Sequence, residues 1–231
     1  LVALSKLGYA TYALDMRGYG STPRNLNGWN TPNEAAEDVA TTLKWINQRH
    51  PKLGKPVLFG WSMGSLVAHL TTQMHPELLS DLVLYGYPRD PASTSPAIPS
   101  PTEPPREVNT AKRAASDFIS PQVTSQQLIE TYVAAALQAD PVRADWHHND
   151  QYSQLNPAKI TRPTLVLHGD RDPSTPQAAQ SRLFVALGTV DKQWVILPGG
   201  DHAAMLEDTH DAFIAAIHAF VARPQVRNAQ H

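Results

Sequence analysis

Short apolar runs alternate along this chain with stretches in which apolar residues return every three or four positions. Residues 57–59, 81–86, 163–168 and 193–197 are the runs, each a few Val, Leu, Ile or aromatic residues between turn formers, the pattern of strands buried on both faces. Residues 9–14 are rich in β-formers and predict a further strand ahead of them. The intervening stretches carry helical spacing. Residues 1–7 read as the tail of an amphipathic helix closed by Gly8. Thr31 followed by Pro32 and Glu34 predicts a helix start with a capping box, Val39, Leu43 and Ile46 as its buried stripe, and an end near His50-Pro51. Leu66, Val67 and Leu70 place a helix directly behind the 57–59 run, extending to about His75-Pro76. Two more helices are predicted over 177–187 and 209–221, the last with Phe213, Ile214, Ile217 and Phe220 facing inward and a frayed polar tail from Arg223 onward.

Strand–helix alternation of this kind implies an α/β fold, a mostly parallel sheet with helices on both faces. The alternation breaks at Pro88. Seven of the eighteen residues from 88 to 105 are proline, which can neither pair in a sheet nor sustain a helix, so this stretch reads as an extended linker. Helices over about 107–119 and 124–139 are expected to follow, the second with Leu128, Ile129, Tyr132, Val133, Ala136 and Leu137 on one broad face. The expected organisation is a core of residues 1–87 and 159–231, interrupted by a proline-rich linker and helical cap over 88–158.

The totals narrow the class. A chain of 231 residues, 42 % apolar and 17 % charged, suits one large globular domain with an insertion. A net charge of −2 gives no electrostatic case for nucleic acid or an anionic membrane. No apolar run approaches the ~20 residues of a membrane span. Cysteine is absent, which excludes disulfides and thiolate chemistry. The paired His147 and His148 have no second ligand set at a recognisable metal spacing, so they read as surface or cleft histidines, and no metal or cofactor is expected.

The candidate chemistry lies where strands end. Between the 57–59 run and its helix stands Gly60-Trp61-Ser62-Met63-Gly64. A strand that turns sharply into a helix pushes its corner side chain outward, and glycines two residues either side remove the collisions. A plain alternative is a tight turn whose serine only caps the helix. Partners for a nucleophile exist, however. In an open parallel sheet ligands bind outside the carboxyl ends of the strands, and two further loops there carry reactive groups: Gly169-Asp170-Arg171-Asp172 and Gly199-Gly200-Asp201-His202. A serine hydroxyl needs a base, and that base needs a carboxylate to set its tautomer. Ser62, an aspartate of the 170–172 loop, and His202 supply the set in that order. In the 15–23 loop, Asp15 and Arg17 read as ties to neighbouring elements more than as an anion site.

Four ordered motifs then resemble the α/β-hydrolase superfamily: the nucleophile elbow at 60–64, the D-x-R-G-x-G-x-S turn at Asp15-Met16-Arg17-Gly18-Tyr19-Gly20-Ser21-Thr22, the acid loop at His168-Gly169-Asp170-Arg171-Asp172, and His202 ahead of the last helix. The resemblance, which covers nearly all the chain outside the cap, implies a metal-free and cofactor-free serine hydrolase acting on a small-molecule ester or related acyl bond through an acyl-enzyme. It implies Ser62 as nucleophile, His202 as base, Asp172 as the acid with Asp170 a structural partner of the turn, and the Met63 N–H as an oxyanion donor. Trp61 is expected to line the substrate cleft, with packing under the cap as the alternative. The family's second oxyanion donor comes from a loop after an earlier strand, expected here upstream of Leu1. A chain opening inside a helix, on a residue other than methionine, leads to the expectation that this strand is missing and leaves a gap between the 9–14 and 57–59 strands; a leader could also have preceded it. The rival readings are a cofactor-free perhydrolase of the same fold and a catalytically impaired fragment or binding protein. The compartment expected is the cytoplasm, and the chain carries no signal of an oligomeric state.

Overall fold

A computed structural model describes residues 1–93, 101–120 and 122–224. Pro96 and Pro99 of the proline-rich stretch, and residues 225–231 of the tail, lie outside the described residues. The elements in chain order are α1 (Val2–Lys6), β1 (Trp29–Asn30), α2 (Pro32–Arg49), β2 (Leu58–Trp61), α3 (Met63–Met74), β3 (Leu82–Tyr85), α4 (Ala111–Ala114), α5 (Gln126–Ala139), β4 (Asp145–Trp146), β5 (Thr164–Gly169), α6 (Gln177–Ala186), β6 (Lys192–Leu197) and α7 (His210–Val221). Four strands form one parallel sheet in the order β2-β3-β5-β6, with Leu58 opposite Leu82, Leu82 opposite Thr164, and Thr164 opposite Lys192. This is the α/β class that the alternation predicts.

Period-two alternation divides the sheet's side chains between two cores. Leu82, Leu84 and Val166 face Leu43 of α2, Ala68 of α3 and Leu183 of α6. Val83, Tyr85, Leu165 and Leu167 face Phe213, Ile217 and Phe220 of α7, with Leu4 of α1 alongside. Both faces are thus covered, and all four residues of β3 are buried. The buried stripe of α2 is Ala35, Ala36, Ala40 and Leu43, while Val39 and Ile46 are only half-buried. Small alanines let α2 approach α3 closely, where Val67 and Leu70 meet them together with Tyr152 and Leu155.

The start of α2 differs in one detail. Thr31 Oγ1 accepts from the Glu34 N–H as a cap should, but the Glu34 carboxylate does not turn back to the Thr31 N–H. It takes hydrogen bonds from the Thr31 hydroxyl and Asn25 and an ion pair from Arg17. Arg17 itself forks onto both oxygens of Asp38, so it serves as the loop tie expected of it.

Three expectations fail. Residues 9–14 form no strand among the described residues. β-forming side chains make a strand only where a neighbour supplies a hydrogen-bond ladder, and here the tyrosines turn instead to histidines, Tyr9 Oη to His218 and Tyr12 Oη to His50. The expected gap between two strands therefore has no outer strand to bound it. β2 pairs only with β3 among the described residues, and Phe59 is 42 % exposed. Secondly, the helix expected over 107–119 shrinks to the single turn of α4, because residues 107–109 are drawn into extended pairing with Pro141–Arg143: Val108 bridges Val142, and the Arg143 N–H donates to the Glu107 carbonyl. Thirdly, Arg223 is not frayed. Its guanidinium lies over the Phe220 ring and bonds both Asp81 and Asp191.

That arginine closes α7 onto the loops that open β3 and β6. Its side chain is 11 % exposed and Asp81 only 3 %. Removing one partner of such a pair leaves a buried charge uncompensated, so Arg223→Ala should lower stability by about 3 kcal/mol, read as a reduced urea midpoint with unchanged slope.

Candidate active site

The elbow is built as its residues dictate. β2 ends at Trp61, α3 begins at Met63, and Ser62 between them has φ +52° and ψ −127°, a conformation that costs a non-glycine residue on the order of 1–3 kcal/mol. Three hydrogen bonds hold it there. Its N–H donates to the Tyr85 carbonyl at 3.0 Å, and its carbonyl accepts from the Ser65 N–H at 2.8 Å and the buried Ser65 hydroxyl at 2.5 Å. Gly60 is obligatory because a Cβ there would stand 2.4 Å from the Gly64 carbonyl and 2.7 Å from Ala68 Cβ. The Met63 N–H heads α3, where the first amides have no intrahelical acceptor.

Asp172 and His202 meet because β5 and β6 are neighbours. The loops leaving them cross at Gly169 and Gly200, where a Gly169 Cβ would lie 2.1 Å from the Gly200 oxygen. The Arg171 N–H donates to the Gly200 carbonyl, and Asp170 accepts from the Gly199 N–H at 2.7 Å. His202 Nδ1 lies 2.7 Å from Asp172 Oδ2, with the histidine side chain 6 % and the aspartate 0 % exposed. Burial opposes the charge on Asp172, yet hydrogen bonds from His202 and Ser174 hold it below the usual carboxylate range. Burial likewise opposes protonation of His202, but the Asp172 hydrogen bond and charge, with Asp117 and Asp201 nearby, leave it above the usual imidazole range.

The histidine reaches back toward the elbow across the end of β3. Gly86 follows that strand with φ +59°, and a Cβ on it would touch the His202 ring at 3.2–3.3 Å. Trp61 Nε1 donates to the His202 carbonyl at 2.7 Å, and the two rings lie 5.7 Å apart. The indole expected to line the cleft therefore also braces the histidine loop. No hydrogen bond joins Ser62 Oγ to His202 in this conformation. The structure thus joins Asp172 to His202 directly and His202 to the elbow through Trp61, and places Met63 N–H beside Ser62.

Sequence reasoning missed the rest of the frame. Ser174 bonds both Asp172 and His202; a serine two residues after an aspartate in a turn was the available signal. Tyr85 Oη donates to the Asp201 carbonyl and accepts from the Ala204 N–H, which nothing local to Tyr85 announces. Asp201 accepts from the Ser120 and Ala203 N–H groups, while Glu207 Oε2 accepts from the Asp201 N–H. Burial and the adjacent Asp201 raise Glu207 well above the carboxylate range. His168, buried at the end of β5, accepts from Trp194 Nε1, and burial lowers it below the usual imidazole range. His147 stacks on Trp29. Among the described residues no group of His, Asp and Glu is arranged to hold a metal, and no helix is long and apolar enough to cross a membrane.

Comparison with known proteins agrees with this geometry at the level of fold and family. The family model Hydrolase_4, described as serine aminopeptidase, S33, matches residues 1–209. A monoacylglycerol lipase of Mycolicibacterium smegmatis is 27 % identical over 219 residues, covering 87 % of this chain and 73 % of the lipase. The crystal structure of a monoacylglycerol lipase from Paleococcus ferrophilus superposes with a TM-score of 0.61 at 19 % identity, over 95 % of this chain and 87 % of that one. A thermophilic esterase from Thermogutta terrifontis also gives 0.61, at 22 % identity, over 90 % and 77 %.

The tightness at Gly60 yields a direct check. Gly60→Ala must push backbone against backbone, so it should cost at least about 2 kcal/mol and displace the elbow. Chemical unfolding should show the loss, and labelling of Ser62 by a fluorophosphonate should slow in the folded variant.

Proposed function

From its place in the Hydrolase_4 (serine aminopeptidase, S33) family of α/β-hydrolases, to which the chain belongs, we propose that this protein hydrolyses a carboxylic ester through a Ser62–His202–Asp172 triad. The observation that carries this reading is the buried 2.7 Å bond from His202 Nδ1 to Asp172 Oδ2, held by Trp61 beside a serine at φ +52°. With Nδ1–H donated to the carboxylate, Nε2 is left bare as the base.

In the first half-reaction Ser62 gives its proton to His202 Nε2 as Oγ bonds the acyl carbon. The carbonyl electron pair moves onto oxygen, where the Met63 N–H donates to it. Collapse expels the alcohol, which takes the proton from Nε2, and leaves Ser62 acylated. Water then attacks the acyl carbon while His202 accepts its proton and returns it to Ser62, releasing the acid. The hydrogen bond from Ser62 to His202 belongs to the substrate-bound state, as catalytic hydrogen bonds often tighten only there. The half-exposed ring of Trp61 walls the cleft. The described part of the 88–158 insertion acts as the cap, and the half-buried face of α5 with Ile129, Tyr132, Val133, Ala136 and Leu137 offers an apolar surface for the substrate. A monoacylglycerol-like ester is the first substrate to try, since a lipase of that name is a sequence relative.

Ser62→Ala should abolish turnover of a p-nitrophenyl ester, and Asp172→Asn should reduce kcat on the order of 10⁴-fold by fixing the wrong tautomer. Retained turnover in Ser62→Ala would overturn the nucleophile. The groups facing His202 are Asp172, Asp117 on the turn after α4, and Asp201 on its own loop. Their net effect raises its pKa above 6.5. The imidazole must be neutral to accept a proton, so kcat/KM should fall with decreasing pH along a limb whose midpoint lies above 6.5.

A further inference from the structure

We propose that Ser174 is a positioning residue for the base: its hydroxyl pins Asp172 Oδ1 and stands against His202 Nδ1, so that Nδ1 keeps the proton and Nε2 stays bare. This role rests on the triad reading given above. The Asp172 carboxylate is fully buried, and its partners divide cleanly between its oxygens. Oδ1 accepts from the Ser174 N–H at 2.9 Å and from the Ser174 hydroxyl at 2.5 Å. Among the described residues Oδ2 takes His202 Nδ1 alone, at 2.7 Å. Ser174 Oγ is also 3.0 Å from that same Nδ1.

A hydroxyl has one proton to give. If Ser174 gave it to His202 Nδ1, that nitrogen would be unprotonated and its lone pair would face the Oδ2 lone pairs across 2.7 Å, with nothing between them. Giving it to Asp172 Oδ1 satisfies all three groups. Oδ1 has two donors, Nδ1–H points at Oδ2, and an Oγ lone pair faces Nδ1–H as a second acceptor. The proton positions of the cluster therefore follow from its distances. The hydroxyl also removes the freedom of the carboxylate to rotate about its last torsion, since turning Oδ1 toward the histidine would break two bonds at once.

Ser174 is an exposed residue whose hydroxyl and N–H turn to the buried carboxylate. Truncating it opens no core cavity, so the variant keeps the fold and reports on the site. In the full chain, Ser174→Ala should lower kcat for p-nitrophenyl acetate about tenfold or more, the loss of one charge-assisted hydrogen bond, with KM within about twofold. The variant loses both the second acceptor on Nδ1–H and a donor to Asp172 Oδ1, which act on the imidazolium in opposite directions, so the acid limb of kcat/KM should move by their difference, which a merely structural role would not do. Ser174→Thr keeps the hydroxyl and should return kcat to within about threefold of the parent. A Ser174→Ala enzyme with kcat within about threefold of the parent and an unmoved acid limb overturns this role, provided fluorophosphonate labels Ser62 in the parent. An unlabelled Ser62 in the parent overturns the triad reading and this role with it.

Discussion

The site depends on one crossing: the imidazole of His202 passing over the end of β3. The elbow follows β2, and the acid and histidine loops follow β5 and β6. With strands ~4.8 Å apart, β6 stands about 14 Å from β2. β3 lies between them, and its C-terminal residue is where any bridge must pass. Gly86 turns there with φ +59°, and the ring packs so close that a Cβ would crowd it at 3.2 Å. Topology puts three reactive loops at one rim, but the missing Cβ lets two of them meet across a fourth.

The crossing is braced from both sides by groups that would otherwise be costly to bury. Trp61 needs an acceptor for its indole N–H, and the His202 carbonyl needs a donor; each answers the other. Tyr85 does the same one residue back, between the Asp201 carbonyl and the Ala204 N–H. Asp201 extends the frame into the 107–123 segment through the Ser120 N–H, and the Asp208 N–H returns to the Val123 carbonyl. The histidine loop is thus tied to β2, β3 and the inserted segment, and its position does not rest on Asp172 alone.

Much of this was legible because buried strands write themselves as apolar runs. β2, β3, β5 and β6 fall on the expected runs to within two residues at their ends, and α3, α6 and α7 lie where helical spacing places them. Residues 9–14 show where such reading stops: Tyr9 and Tyr12 carry strand propensity, but propensity cannot say whether a ladder partner exists. α4 stops short for a related reason, since Val108 prefers its distant partner Val142 to one more helical turn. Around the site, strand-end loops point to Ser62, the Asp170–Asp172 loop and His202, and the family resemblance picks Asp172 from that loop. Ser174, Tyr85 and Glu207 stayed hidden because their partners lie across the chain or depend on a turn's detailed shape. Arg223 looks like tail in the sequence because its two carboxylates, Asp81 and Asp191, are 142 and 32 residues away.

The distribution of buried charge separates two tasks that the same chemistry could confuse. Arg223 ties Asp81 and Asp191 together at the sheet's other end, where strands β3 and β6 begin, and there it holds the frame. At the rim of the candidate site the described carboxylates Asp117, Asp172, Asp201 and Glu207 gather with no arginine or lysine hydrogen-bonded to any of them, and Arg143 acts on Asp117 through its charge alone. Burial raises Asp117 and Glu207, while the hydrogen-bonded Asp172 stays low. The charges of Asp172, Asp117 and Asp201 favour a proton on His202, as the proposed base would need. A cation added at this rim would relieve the carboxylates and at the same time weaken the imidazolium they support. The hydrogen bonds from Ser174 to Asp172 and from Ser120 and Ala203 to Asp201 let the fold hold these carboxylates side by side, while Glu207, pushed up to about 8, takes the Asp201 amide without adding a full charge.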